Sequence, residues 1–277
     1  MGVIEKGAIM ERIAIISDVH ANITALNAVL KDIEKRNVNK IVGLGDYVIK
    51  GVNPDKVIDK LKEKCDVMLI GNTDYAICKP EAKNKGHWTR NKIGEERANY
   101  IYSLPSMYQF YMSGYLVRLF HATPYSLDGI FNPLFENEKM DYKKEKIYQI
   151  EDMFKNTDFL GLNENDKEPD IVGYGHIHTP LLIRYKNKTI FNTGSVGIPV
   201  EMQIRDENDK NNKLSTIPSY MILEGNFDSK ELSTISFTEV KVKYNIEEEI
   251  DNILKSDLPS KEKIIKSLRT AMSEQYM

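Results

Sequence analysis

Three short apolar runs, each followed by Asp or Asn and then by a helical pattern, constrain the fold of this chain more than any other feature. The runs cover residues 13–16, 41–44 and 67–70, and they lead into Ser17-Asp18-Val19-His20, Gly45-Asp46 and Gly71-Asn72. Apolar runs of this length are typical of buried parallel strands. Because ligand sites in open α/β sheets gather at the carboxyl ends of the strands, the pattern predicts an α/β fold with a polar site along one edge.

The middle of the chain continues this pattern. Helices are predicted at 23–37 and, after the Asn53-Pro54 start signal, at 54–61. Residues 81–112 are predicted to be mainly helical, and a fourth strand at 115–120 ends in His121. A polar stretch at 125–168 is predicted to hold a helix near 143–155. A fifth strand at 171–174 ends in Gly175-His176-Ile177-His178.

The C-terminal part predicts a hairpin, two strands and two helices. The hairpin pairs 181–185 with 189–192, the strands cover 220–223 and 234–240, and the helices cover 246–255 and 260–272. We therefore expect one domain at 1–240, with helical insertions at about 80–112 and 125–168. Residues 241–277 are expected to form a helical extension packed on that domain. Its charged, amphipathic helices also suit a contact between copies in a homo-oligomer.

Composition excludes several classes of function. The net charge of −3 over 277 residues gives no basic field for nucleic acid or for an anionic membrane. Two cysteines, Cys65 and Cys78, cannot build a disulfide framework, so a reducing cytoplasm is the expected compartment. No apolar run reaches the ~18 residues of a membrane span, and the N-terminus lacks the apolar core of a signal peptide.

Four of the five histidines lie at predicted strand ends, and only His87 lies in a helical stretch. Taken alone, Asp18 could cap the next helix and His20 could be a polar loop residue. Two residues apart at a strand end, they can also point the same way, and a carboxylate beside an imidazole suits a divalent metal. The clustering favours the metal interpretation for all four histidines, namely His20, His121, His176 and His178.

Five separated motifs, in this order, resemble the calcineurin-like metallophosphoesterase superfamily. They are Asp18-x-His20, Gly45-Asp46, Gly71-Asn72, His121 and Gly175-His176-x-His178. The chain is most similar to the compact prokaryotic phosphoesterases, some of them diadenosine tetraphosphatase-like. Their Ser-Asp-x-His-x-Asn and Asn-x-Gly-Ser-Val-Gly segments correspond to residues 17–22 and 192–197. The resemblance implies a four-layer α/β/β/α sandwich, in which helices flank two mixed sheets.

The resemblance also implies a site for two divalent metal ions and a role for each motif residue. Asp46 would bridge the ions, with Asp18, His20 and His178 completing the first site and Asn72, His121 and His176 completing the second. A hydroxide bridging the ions would attack phosphorus in line with the leaving group, with Asp46, Asn72 and His121 at the catalytic centre. The mixed nitrogen and oxygen donors favour Mn²⁺ or Fe over Mg²⁺, and they are also compatible with Zn²⁺.

One position departs from the family pattern. Many relatives have a histidine after Gly-Asn that stabilises the transition state or protonates the leaving oxygen, but this chain has Thr73 there. A threonine hydroxyl can form hydrogen bonds but cannot supply a proton near pH 7. We therefore expect a preference for good leaving groups, such as phosphoanhydrides or aryl phosphates. His87 is an alternative source of an imidazole.

Three residues are candidate substrate contacts, and each has a structural alternative. Asn22 could contact substrate phosphate or cap the helix that begins at Ile23. Thr73 could donate a hydrogen bond to the substrate. Arg90 could line a base-binding surface or serve packing; the same alternatives apply to the aromatic residues Trp88, Tyr100 and Tyr125.

The sequence thus predicts a metal-dependent phosphoesterase that acts on small, nucleotide-like phosphates. A narrower prediction is a diadenosine tetraphosphate hydrolase, which Thr73 favours. A hypothesis of another class is a non-catalytic metal-binding interaction module. A nuclease would need a basic stripe that the chain lacks.

Overall fold

The computed structural model describes residues 10–81, 87–133, 147–199 and 216–270, and its strands form two five-stranded mixed sheets. Within these ranges, every helix is too short or too polar to cross a bilayer. The strands are β1 Glu11–Ile16, β2 Lys40–Gly43, β3 Val67–Met68, β4 Met107–Met112, β5 Tyr115–Phe120, β6 Ile171–Tyr174, β7 Leu181–Tyr185, β8 Lys188–Asn192, β9 Ser219–Gly225 and β10 Ser236–Lys241. The α-helices are α1 Ile23–Lys35, α2 Pro54–Lys64, α3 Asn72–Cys78, α4 Trp88–Tyr102, α5 Ile246–Lys255 and α6 Lys261–Thr270.

Parallel pairing brings the predicted strand ends to one edge of each sheet. The first sheet has the order β10-β9-β1-β2-β3, in which β1, β2 and β3 are parallel and β9 is antiparallel to β1. The second has the order β4-β5-β6-β8-β7, in which β5, β6 and β8 are parallel. The motif residues follow the carboxyl ends of β1, β2, β3, β5 and β6, and Asn72, after β3, begins α3.

The two sheets pack face to face, and helices cover the first sheet. Alternate residues of β1 face opposite ways, as expected for a strand. Ile13 and Ile15 are buried against Val117 and Phe191 of the second sheet, and Ala14 and Ile16 are buried on the helix side. Two 3₁₀ helices at Asp152–Phe154 and Asp158–Leu160 help to cover the other face of the second sheet. The predicted two-sheet sandwich flanked by helices is confirmed.

Two predictions of secondary structure were wrong. Residues 107–112 form β4, antiparallel to β5, whereas we had expected the helical stretch to continue to 112. The run Met107–Met112 alternates more and less buried side chains on the sheet, and Ser113-Gly114 turns the chain with positive φ at both residues.

In the described part of the helix predicted near 143–155, the chain forms only the 3₁₀ helix Asp152–Phe154, and residues 134–146 lie outside the described part. Side chains there bind the local backbone, as when the Asp152 carboxylate accepts a hydrogen bond from the Gln149 amide at 2.9 Å. Such bonds compete with a regular helix.

The C-terminal helices pack near the site edge of the first sheet. Ile250 and Ile253 of α5 and Leu258 share an apolar cluster with Val52, which follows β2, and with Trp88 at the start of α4. The Trp88 indole also donates a hydrogen bond to Asp257 at 3.1 Å. A separate extension beginning at 241 remains a prediction about domain organisation.

Candidate metal centre

The chain turns sharply where β1, β2 and β6 end, and the motif residues lie in these turns. Asp18, His20, Asp46, His176 and His178 all have φ between 48° and 67°, the left-handed region that non-glycine residues rarely adopt. Backbone hydrogen bonds join the first two turns, from Asp18 N to Gly45 O at 3.0 Å and from His20 N to Asp46 O at 2.9 Å. Strained backbone of this kind often gathers at functional sites.

Two glycines allow these turns to approach each other. A Cβ at Gly71 would overlap the Asp46 carboxylate, and a Cβ at Gly175 would overlap the Ser17 hydroxyl. The glycines that precede Asn72 and His176 are therefore required by close packing at the site.

Asp18, His20 and His178 form the first group of donor atoms. Nε2 of His178 lies 3.3 Å from Oδ1 of Asp18 and 3.1 Å from Nε2 of His20. Oδ1 of Asp18 is buried and has no hydrogen-bond partner among the described residues. Nε2 of His20 also lies 3.8 Å from Oδ2 of Asp46, so the Asp46 carboxylate faces this group.

Asn72, His121 and His176 form the second group, together with Asp46. One terminal atom of the Asn72 amide lies 3.0 Å from His121 Nε2, 3.2 Å from His176 Nδ1, and 3.2 and 3.3 Å from the two carboxylate oxygens of Asp46. An amide nitrogen at this position would donate hydrogen bonds to the neighbouring imidazole nitrogens and carboxylate oxygens. A carbonyl oxygen there would join a ring of lone-pair donors, the arrangement that a cation needs.

Neighbouring groups fix the orientation of the ligand side chains. His121 Nδ1 donates to Leu44 O at 3.0 Å and His178 Nδ1 donates to Ile198 O at 2.7 Å, which leaves Nε2 of each ring facing the site. The backbone amide of Thr73 donates to Oδ1 of Asp46 at 2.9 Å. Hydrogen bonds of this kind orient ligands and set the tautomer in metal sites.

Burial sets the charge state of several of these groups. It lowers the pKa of His20 well below its ordinary range, and the charge of Lys50 lowers it further. It lowers the pKa of His176 to about 3, with His121 adding to the effect. Burial would raise the pKa of Asp18, but the neighbouring imidazoles, His178 first, lower it below its usual value. Two neutral imidazoles and one carboxylate therefore offer lone pairs at pH 7, and this donor set fits divalent metal ions.

Two residues that the sequence analysis did not select contribute to the site. The buried carboxylate of Asp74 accepts hydrogen bonds from the backbone amides of Asp46, Tyr47 and Gly71, at 2.7, 2.8 and 3.1 Å. Burial, with the Asp46 charge adding to it, raises the pKa of Asp74 to about 8. Lys50 is exposed on the loop after β2. Only the position of Asp74 two residues after Asn72 could have indicated its role.

The three candidate substrate contacts differ in their surroundings. Asn22 is buried, its Oδ1 accepts from Ala25 N at 2.9 Å as the cap of α1, and its Nδ2 donates to Gly197 O at 3.0 Å. Thr73 lies beside Asn72, and its buried hydroxyl has no partner among the described residues. The buried Arg90 donates to Cys78 O at 2.9 Å and pairs with Glu95 at 3.0 Å, contacts that favour the packing interpretation.

The other aromatic and histidine candidates have packing or capping contacts. Tyr100 is part of the core, with its hydroxyl 3.6 Å from Met68 Sδ, and Tyr125 stacks on Tyr148 at 4.8 Å. His87 caps α4, because its Nδ1 accepts a hydrogen bond from Thr89 N at 3.2 Å.

Comparison with known proteins gives one family match and several relatives. A model of the calcineurin-like phosphoesterase superfamily domain matches residues 12–206. An uncharacterized protein of Methanocaldococcus jannaschii is 30% identical over 262 residues, which are 89% of this chain and 93% of that protein. A metallophosphoesterase from Sphaerobacter thermophilus and a hypothetical protein from Pyrococcus horikoshii have similar structures. Both have a TM-score of 0.64, at 23% and 17% identity, over 95% of this chain and 99% of the other.

Proposed function

Because the chain belongs to the calcineurin-like phosphoesterase superfamily, we propose that it is a metal-dependent hydrolase of small phosphate esters or anhydrides, with nucleotide-like substrates. The observation that carries the proposal is the convergence of carboxylate and imidazole atoms: Asp18, His20 and His178 in one group, and Asp18, Asp46 and His121 in another, each with its ligand atoms within 4.8 Å of one another. Carboxylate oxygens and imidazole lone pairs directed at one point repel each other unless a proton or a cation lies between them.

We assign Asp18, His20 and His178 to one metal ion and Asn72, His121 and His176 to a second, with Asp46 between the two groups. The distances within each group support this division. The mixed donors favour Mn²⁺ or Fe, and Zn²⁺ is compatible with them. The free thiols of Cys65 and Cys78 suit a reducing cytoplasm, where we place the protein.

When bound, two divalent ions would neutralise phosphate charge and supply a nucleophile from water at neutral pH. The chain itself would fix the geometry. Asp46 is held through its backbone amide by Asp74 and through its carboxylate by the Thr73 amide. His121 and His178 are held by backbone carbonyls. These side chains then need little reorganisation during the reaction, and this preorganisation lowers the activation barrier.

The leaving group is expected to depart without a protonated imidazole beside Asn72. Thr73 occupies that position, and its buried hydroxyl, which has no partner among the described residues, cannot supply a proton near pH 7. His87 is engaged in capping α4. Both observations favour substrates with good leaving groups, and a diadenosine tetraphosphate hydrolase is therefore the second candidate function.

A metal-content and turnover measurement tests the proposal. The purified protein is stripped with a chelator and reloaded with Mn²⁺, the bound metal is counted, and bis-p-nitrophenyl phosphate, dinucleoside polyphosphates and monoesters are assayed. We expect Asp46→Asn to lower kcat/KM by about 100-fold or more, a loss typical of one central electrostatic group. Asp59→Asn on α2, which removes an exposed ion pair with Arg97 of α4, is the matched control. Bound metal without turnover on the whole panel would instead favour a non-catalytic binding module.

Thr73→His tests the leaving-group preference. We expect it to raise the rate on glycerol phosphate relative to p-nitrophenyl phosphate, because an imidazole can protonate the poorer leaving group. Thr73→Val keeps the side-chain volume and should keep the wild-type ratio. An unchanged ratio in the histidine variant would show that this position does not control the preference.

A further inference from the structure

Two tyrosines form an exposed stacked pair where α3 meets α4. The rings of Tyr75 and Tyr102 have centroids 5.7 Å apart and planes at 28°. Both residues are exposed, with exposed fractions of 43% and 40%. Large apolar side chains exposed next to each other are more informative than single ones, because they often mark a binding surface.

The pair adjoins the metal centre through α3. Asn72 begins this helix, and Tyr75 follows one turn later, so their Cβ atoms are about 5–6 Å apart. The helical period places Asn72, Tyr75 and Ala76 on one face, whereas Asp74, Ile77 and Cys78 on the other are buried. A group that leaves the site past the half-exposed Asn72 therefore meets the Tyr75 ring.

Charged groups of both signs lie beside the tyrosine pair. Lys79, the C-cap of α3 one turn beyond Tyr75, has its Nζ 5.8 Å from the Tyr75 ring centroid, and the Glu81 carboxylate acts on the Tyr102 hydroxyl. The pair therefore adds aromatic surface beside the site, and the phosphate charge is left to the metal centre.

We propose that Tyr75 and Tyr102 stack the aromatic base of a substrate whose phosphate lies between the two donor groups. This inference rests on the proposed function and assigns the base subsite of its nucleotide-like substrates to the two tyrosines. Bases stack on aromatic side chains in a way that tolerates different base identities. The surface would therefore select for a base without selecting strongly among bases.

Paired diester substrates test the role of the tyrosines. Thymidine 5′-(p-nitrophenyl) phosphate and methyl p-nitrophenyl phosphate share a leaving group and differ in the nucleoside. We expect Tyr75→Leu combined with Tyr102→Leu to lower the ratio of their kcat/KM values about 5- to 150-fold, the range expected for loss of one stacked base. The phenylalanine double variant should keep the ratio. Tyr111→Leu, at the end of β4 remote from His121, is the matched control.

Binding provides a readout that does not depend on turnover. Calorimetry with thymidine 5′-phosphate and with ribose 5-phosphate should show weaker binding of the nucleotide alone in the leucine double variant. Turnover of both diesters with an unchanged ratio overturns the stacking role and leaves the phosphoesterase proposal intact. If the metal-loaded wild type turns over neither diester, the phosphoesterase proposal is contradicted. If the wild type binds thymidine 5′-phosphate and ribose 5-phosphate with equal affinity, the stacking role is contradicted. A change of sedimentation mass in the leucine variant would assign the pair to self-association and likewise overturn it.

Discussion

Replacement of Asn22 separates a structural role from a phosphate contact. Its amide oxygen accepts from Ala25 N at 2.9 Å, and its amide nitrogen donates to Gly197 O at 3.0 Å. Both ends of the side chain are therefore used inside the protein, and the residue is only 2% exposed. Asn22→Ala removes both bonds together with a longer one from the amide nitrogen to the Tyr244 hydroxyl at 3.4 Å, whereas Asn22→Ser keeps a cap and removes only the bonds of the amide nitrogen.

The expected losses follow from these two bonds. Loss of the cap costs about 1 kcal/mol of folding free energy. A buried carbonyl of Gly197 left without a donor costs about 1–3 kcal/mol. We therefore expect Asn22→Ala to lower stability by about 2–4 kcal/mol and Asn22→Ser by about 1–3 kcal/mol, with the cap retained. By the scaling for domains of slightly smaller size, each kcal/mol lowers Tm by about 2–4 °C.

Thermal unfolding followed by circular dichroism measures these differences. Asn245→Ala is the matched control, because Asn245 caps α5 through Glu248 N but its side chain is exposed; its cost should not exceed about 1 kcal/mol. Gly197 precedes Ile198, whose carbonyl orients His178, so Asn22→Ala should also weaken Mn²⁺ binding about 10- to 100-fold. Wild-type Tm with an altered KM would refute the structural role and assign Asn22 to substrate phosphate.

Three further changes test the supports around the site. Gly71→Ala should abolish stoichiometric metal binding, measured by metal analysis, because its Cβ would overlap the Asp46 carboxylate; Ala76→Ser on the open side of α3 should not. Arg118→Lys should lower the free energy of unfolding, measured in urea, by about 3 kcal/mol, because one ammonium cannot serve the four acceptors that the buried guanidinium binds. Arg184→Lys, at an exposed position, should leave the free energy of unfolding unchanged. Burial raises the pKa of Glu249, so the folded protein holds the proton of this carboxyl more tightly than the unfolded chain does. Stability therefore falls as the pH rises above the pKa of glutamate in the unfolded chain, about 4.3. Glu249→Gln should raise Tm at pH 8 and have a smaller effect at pH 4.

The strand ends were predictable because two signals coincide there. Short apolar runs end abruptly, and metal-capable residues follow within two positions, as after Ile16 and after Tyr174. Parallel pairing then brings those ends to one edge, so Asp18 and Asp46 become neighbours although 28 positions separate them in the chain. Nothing about this step requires knowledge of side-chain conformation.

Other parts could not be predicted because competing local signals have similar strength. The stretch 107–112 is rich in aromatic and methionine residues that suit either a helix face or a strand, and only pairing with β5 decides between them. Asp74 looks like an ordinary first-turn acid of α3, yet it is buried and holds three backbone amides. The exposed Tyr75 differs from a packed tyrosine only in its surroundings, which tertiary structure sets.

The left-handed turns explain why periodicity stops where the site begins. Asp18, His20 and Asp46 each adopt φ near 50°, which costs about 1–3 kcal/mol per residue and would be relieved in a regular strand or helix. The bonds from Asp18 N to Gly45 O and from His20 N to Asp46 O hold these turns against each other. Because β1 and β2 are fixed by the core between the sheets, the strained turns cannot relax without disturbing that core. The sandwich therefore acts on the site by holding a backbone shape that directs the carboxylates of Asp18 and Asp46 into one space.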